Sequence, residues 1–79
     1  MKKSITFVGF YTFNLKAKFI ELQFQVFDLN DKNVSSRILV LTEGGNQFTY
    51  YGNHLDKGFY SYRLSNPHGF ITGKMIVIK

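Results

Sequence analysis

Few side chains in this sequence could move a proton or hold a metal. An enzyme working near neutral pH needs a titratable group and a partner that tunes it, and the chain offers two histidines, His54 and His68, both among turn-forming residues. Asp56, two residues after His54, is the one acid near either. A His–Asp pair with no nucleophile beside it lacks the set of nucleophile, base and orienting group that a site requires, so these residues are expected to serve their loop. Two histidines without paired spacing, in a chain with no cysteine, give no three- or four-ligand metal set. Gly44-Gly45 opens no helix and so builds no phosphate cradle. A non-enzymatic protein is expected, with no cofactor, no metal and no small-molecule substrate.

The elements around these residues are strands. Ile20, Leu22, Phe24 and Val26 alternate with Glu21, Gln23 and Gln25, a period of two that predicts a strand with one wet face and the apolar set in the core. Ile5, Phe7, Tyr11 and Phe13 alternate with Ser4, Thr6 and Thr12 in the same way. Gly9 falls on the apolar side, which suggests a bulge or a close neighbour. Asp28 to Asn33 is a turn by composition. Val34 to Thr42, apolar on both faces, is expected to be the central strand, and Glu43-Gly44-Gly45-Asn46 a short hairpin returning through Gln47 to Tyr51. A loop from Gly52 to Gly58 leads to Phe59–Ser65, where Tyr60, Tyr62 and Leu64 alternate with Ser61 and Arg63. Asn66-Pro67-His68-Gly69 is a turn, and Phe70 to Lys79 is the last strand.

Turn signals at short intervals, without a helical stripe between them, predict one all-β domain over residues 1–79. It should be a small antiparallel β-sandwich or partly open barrel of about six strands in meander or Greek-key order. A chain of 79 residues has room for one core. Its nine Phe and five Tyr can fill that core economically, since each ring brings about 150–250 Å² of buriable surface. Met1-Lys2-Lys3 resembles the charged front of a signal peptide. Thr6, Gly9, Thr12 and Asn14 then interrupt the apolar run that such a peptide needs, so the segment is expected to be a mature strand. No stretch approaches the roughly 18 apolar residues of a membrane helix, and no membrane partner is expected.

Ten Lys plus Arg against five Asp plus Glu give a net charge of +5, which favours acidic partners. A basic, aromatic-rich β-domain also describes single-strand-binding barrels, and Lys57-Gly58-Phe59 resembles the opening of the RNA-recognition box. Tyr60 stands where that box needs a small residue, which disfavours nucleic acid as the partner. Phe19 and Phe27 lie on the otherwise polar face of their strand, and Phe59 is opposite in parity to Tyr60 and Tyr62. These rings, with Arg63, are the interface candidates.

Two resemblances lie mainly in the later part of the chain. Leu55-Asp56-Lys57-Gly58-Phe59-Tyr60-Ser61-Tyr62-Arg63-Leu64, followed by Gly73-Lys74-Met75-Ile76-Val77-Ile78, resembles segments of small β-sandwich virion proteins from tailed phages that infect Bacteroidetes, crAss-like phages among them. That likeness implies an auxiliary capsid protein that decorates or cements the shell. Its partners would be the major capsid protein or other virion proteins, and its place the virion after synthesis in the bacterial host cytoplasm. The same segment is similar to the C-terminal sorting domain of type IX secretion cargo. Val26-Phe27-Asp28-Leu29-Asn30-Asp31-Lys32-Asn33-Val34 resembles that family's strand-turn-strand, and Lys74 to Lys79 its closing basic strand. Asp31 stands at the family's turn glycine, and the upstream proline-asparagine-proline box is absent. A sorting domain needs cargo, and the chain opens at Met1-Lys2-Lys3 without an evident export signal. The capsid-binding role is therefore the expected one, with the sorting domain as alternative and a nucleic-acid-binding barrel as a second.

Overall fold

The structure, a computed structural model, describes residues 2–17 and 21–78. Nothing in that range is helical. Seven strands form: β1 (Lys2–Val8), β2 (Phe10–Ala17), β3 (Glu21–Phe27), β4 (Asn33–Val40), β5 (Gly44–Tyr51), β6 (Gly58–Asn66) and β7 (Gly69–Ile78). A five-stranded sheet in the order β1-β7-β6-β3-β4 faces a two-stranded sheet of β2 and β5. The all-β, sandwich-like expectation is met, and the two sheets do not close into a barrel.

The seventh strand arises at Gly9. Its φ of 81° divides the expected first strand, so that β1 joins the large sheet and β2 the small one. A Cβ at this position would approach only Asn53 Oδ1, at 3.9 Å, an ordinary contact. Backbone conformation, and not a close neighbour, is what calls for glycine here. Both halves keep their apolar residues inward: Ile5 and Phe7 are buried from one sheet, Phe13 from the other. The reverse crossover, from β5 to β6, is tied to this corner by the Gly52 N–H donating to the Gly9 carbonyl at 2.9 Å. Gly52 itself is packed tightly, since a Cβ would come within 2.9 Å of the Phe7 ring.

Three strand expectations are corrected. β4 pairs only with β3 and is an edge strand; Ile38 and Val40, apolar residues that made it look central, are exposed on its outer face. The centre of the order is β6, with β7 on one side and β3 on the other. Gly44-Gly45 does not close a hairpin with β4, because β5 crosses to the small sheet and pairs with β2 from Phe10↔Tyr51 to Ala17↔Gly44. Asn46 secures that crossing: its Nδ2 donates to the Thr42 carbonyl at 2.9 Å, and its Oδ1 accepts from the Thr42 N–H at 3.2 Å. Third, β1 runs parallel to β7 from Lys2↔Thr72 to Val8↔Ile78, while the other four ladders are antiparallel.

The core lies between the sheets. Phe24 and Val26 are buried and Leu22 packs against the cluster, as the alternation on β3 predicts; Ile20 lies outside the described residues. Phe24 meets four rings: Phe13 at 5.5 Å, Phe48 at 4.9 Å, Tyr50 at 5.3 Å and Tyr62 at 6.4 Å between centroids. Most of these contacts are tilted or edge-on, geometries that match a ring's positive edge to its neighbour's negative face.

Candidate docking surface

The outer face of the five-stranded sheet is where the exposed rings collect. Strand pairing places Phe27 beside Ser61, Arg63 beside Gln25 and Thr72, Phe59 beside Ile76, and Phe70 beside Ser65, all directed away from the core. Phe27 and Phe70 are therefore diagonal neighbours of Arg63, on opposite sides of it. The Arg63 guanidinium carbon lies 5.6 Å from the centre of the Phe27 ring and 5.2 Å from that of Phe70, inside cation–π range of both. Phe59 is 61% exposed and Phe70 66%; Phe27 is half-buried, and Lys74 stands exposed on the same face.

Three of the four sequence candidates, Phe27, Phe59 and Arg63, thus share one surface. The fourth, Phe19, lies outside the described residues. Sequence reasoning missed Phe70. Its parity within β7 matches exposed Lys74 and opposes buried Met75 and Val77, and that signal was sufficient to place it outside. At the β6–β7 hairpin the sandwich also gapes. Tyr11, Phe13, Leu15, Leu64 and Ile71 contribute to a groove of about 420 Å³ there, and Ile71 is 59% exposed although its parity is inward.

The turn from β3 to β4 borders this face beyond Phe27. The Asp28 carboxylate accepts from the Asn30 N–H at 2.8 Å and the Lys32 N–H at 3.0 Å, and the Asp28 carbonyl accepts from the Asp31 N–H at 3.1 Å. Asp31 takes a φ of 61°, a left-handed conformation in which Asp is among the better-tolerated residues after glycine. The departure from a turn glycine at this position leaves the glycine-like backbone in place.

His54 occupies a different region. Its Nε2 lies 3.2 Å from Ser35 Oγ and 3.5 Å from Tyr50 Oη, and Ser35 Oγ is 2.8 Å from the same phenol. Burial raises the Tyr50 pKa, offset in part by the Ser35 hydrogen bond, and burial likewise raises that of Tyr62. The small cluster ties β4, β5 and the crossover loop together. Asp56 contributes its backbone carbonyl to Tyr60 Oη at 2.8 Å. His68 sits in the β6–β7 turn, where its N–H donates to Asn66 Oδ1 at 2.8 Å. The two histidines are on separate loops and form no joint site. Among the described residues there is no cluster of His, Asp and Glu able to hold a metal ion.

Comparison with known proteins adds one match. The family model described as a secretion system C-terminal sorting domain matches residues 9–79, which is all of the chain after β1 and Val8. No curated protein and no solved structure matches. The match runs through the segments that resemble sorting domains, Val26–Val34, Leu55–Leu64 and the closing strand to Lys79, and overturns the expected capsid decoration role together with its virion location.

Proposed function

The chain belongs to the secretion system C-terminal sorting domain family, and on that premise we propose that it is a non-catalytic export label. It is carried by a longer polypeptide and read by the type IX secretion apparatus, which delivers that polypeptide across the outer membrane to the cell surface or beyond. The family match over residues 9–79 is the observation that carries this reading. The physical character of the domain agrees with it. A label must fold by itself and present a constant surface whatever it is attached to, and here a buried cluster lies between two sheets while rings and cations stand on an outer face. Its partners on this account are proteins of the export apparatus, and it needs no cofactor or small-molecule substrate.

The test is a fusion. Residues 1–79 are placed after a reporter enzyme bearing a periplasmic export signal and expressed in a Bacteroidetes host that has the apparatus. Reporter activity is expected on the surface or in the medium. Activity that stays in the periplasm, as it does for the reporter alone, would sink the proposal.

A further inference from the structure

We propose that the outer face of the five-stranded sheet, centred on Arg63 between Phe27 and Phe70, is the docking surface of the domain. Its occupant is a protein surface that presents carboxylates. The sorting-domain reading supplies the partner's identity as part of the export apparatus; the chemistry of the face stands without it.

The geometry around Arg63 points to a carboxylate. A guanidinium is a planar fork of five N–H donors, and two rings within cation–π distance restrict where that fork can move. The side chains beside it are neutral: Gln25 and Thr72 in its own row, Ser61 and Ser65 along its strand. None of the domain's own acids lies in the row of Arg63 or in the rows on either side of it. The Asp28 carboxylate is engaged in the β3–β4 turn, and Asp31 lies in the same turn. Glu43 and Asp56 lie in the crossovers between sheets, and Glu21, the one acid directed outward on β3, is two rows from Arg63. Lys74 on β7 pairs with Ser61 and adds a second cation on the same face.

The surroundings favour a protein over a polyanion. Phe59 and Phe70 expose large apolar areas on either side of Arg63, and Ile76 pairs with Phe59. An Arg anchor bordered by apolar rings is the arrangement of a protein–protein hot spot, where the rings exclude water and strengthen the charged contact. A nucleic-acid track needs a run of cations spaced along phosphates, and on β6 and β7 this face sets out Arg63 and Lys74 among Ser and Thr. Because the guanidinium is already ordered by its two rings, little side-chain entropy is lost when a partner arrives.

Two measurements decide the matter. Purified domain and the variants Arg63→Gln, Arg63→Lys and Lys16→Gln, the last on β2 of the other sheet, are first shown to melt alike. They are then tested for binding to immobilised poly-L-glutamate, to an oligothymidine and to phosphatidylglycerol vesicles. The parent should prefer poly-L-glutamate. Arg63→Gln should weaken that binding about tenfold, Arg63→Lys should recover only part of it, and Lys16→Gln should change it less than about twofold. Equal losses at Arg63 and Lys16 would reduce the effect to net charge and overturn the proposal. Failure to bind poly-L-glutamate, or a preference for the oligonucleotide or the vesicles, would overturn it too. The second measurement puts Arg63→Glu into the reporter fusion, where export should fall at least about tenfold. If the parent is exported and the folded Arg63→Glu fusion is exported equally well, the face is not the docking surface, although the sorting role stands. If the parent is not exported while poly-L-glutamate binding depends on Arg63, the sorting role fails and the surface stands.

Discussion

The two faces of the five-stranded sheet are built from similar residues and do opposite things. On the inner face Phe24 is 1% exposed and packs against the rings of Phe13, Phe48, Tyr50 and Tyr62. On the outer face Phe59 and Phe70 are more than half exposed, and Phe27 and Phe70 flank a guanidinium. Phe24 and Phe27 are three residues apart on one strand, so the division is made by parity and not by composition. Aromatic content alone therefore says little about whether a small β-domain has spent its rings on folding or kept them for a partner. The side of the pleat decides.

Removing the central inner ring should have the largest effect on stability. Phe24→Ala is expected to cost about 3–5 kcal/mol, a large share of what a small domain possesses, and urea denaturation should find it mostly unfolded or close to that limit. A loss below about 1 kcal/mol would mean that Phe24 is not the centre of the core.

Crowding the inner face should cost less than emptying it. In Gly52→Ala the new methyl meets the Phe7 ring at 2.9–3.1 Å, and Phe7 is itself buried, so a loss of about 1–3 kcal/mol is expected. At the border between the faces, Asp28→Ala should cost about 1–2 kcal/mol, because the N–H groups of Asn30 and Lys32 lose their acceptor. Asp31→Gly should be neutral or gain up to about 1 kcal/mol by relieving a left-handed non-glycine residue. The thermal melt of Asp28→Ala should therefore fall while that of Asp31→Gly holds or rises.

A pH titration separates the inner rings from the outer face by another route. Tyr50 and Tyr62 have folded-state pKa values raised above the ordinary 10.0. The unfolded chain thus releases its phenolic protons at lower pH than the folded one. Their contribution is fully present below about pH 10 and is lost as pH rises through the folded values. Tyr50→Phe should lessen this alkaline loss, and an unchanged profile in both Tyr50→Phe and Tyr62→Phe would count against burial as its source. The smallest stability effects are expected outside: Phe59→Ala and Phe70→Ala should stay within about 0.5 kcal/mol of the parent while lowering export.

How far the sequence reveals this molecule depends on the range of the interaction concerned. The alternation of Leu22, Phe24 and Val26 is local and placed β3 and its buried face directly, and Asn66-Pro67-His68-Gly69 likewise marked the β6–β7 turn. Pairing between distant strands left no local trace. β1 lies beside β7 from the other end of the chain, and β5 passes over its sequence neighbour β4 to join β2. Val34 to Thr42 misled because exposed Ile38 and Val40 are indistinguishable in composition from buried residues. Of the docking face, Phe27, Phe59 and Arg63 were legible from parity, but their assembly around Arg63 needed the register of three strands. The strand-turn-strand around Asp28 and the basic closing strand carried the resemblance to sorting domains, and both lie within the matched residues 9–79.

On the proposed reading, this fold works as an export label read by a dedicated apparatus. The most direct measurement is the fraction of the reporter fusion found outside the cells in two otherwise identical Bacteroidetes hosts, one with a working type IX apparatus and one with it inactivated. Export in the first host and retention in the periplasm of the second is the result expected. Equal export from both, or retention in both while the fusion is folded and intact, would contradict the account.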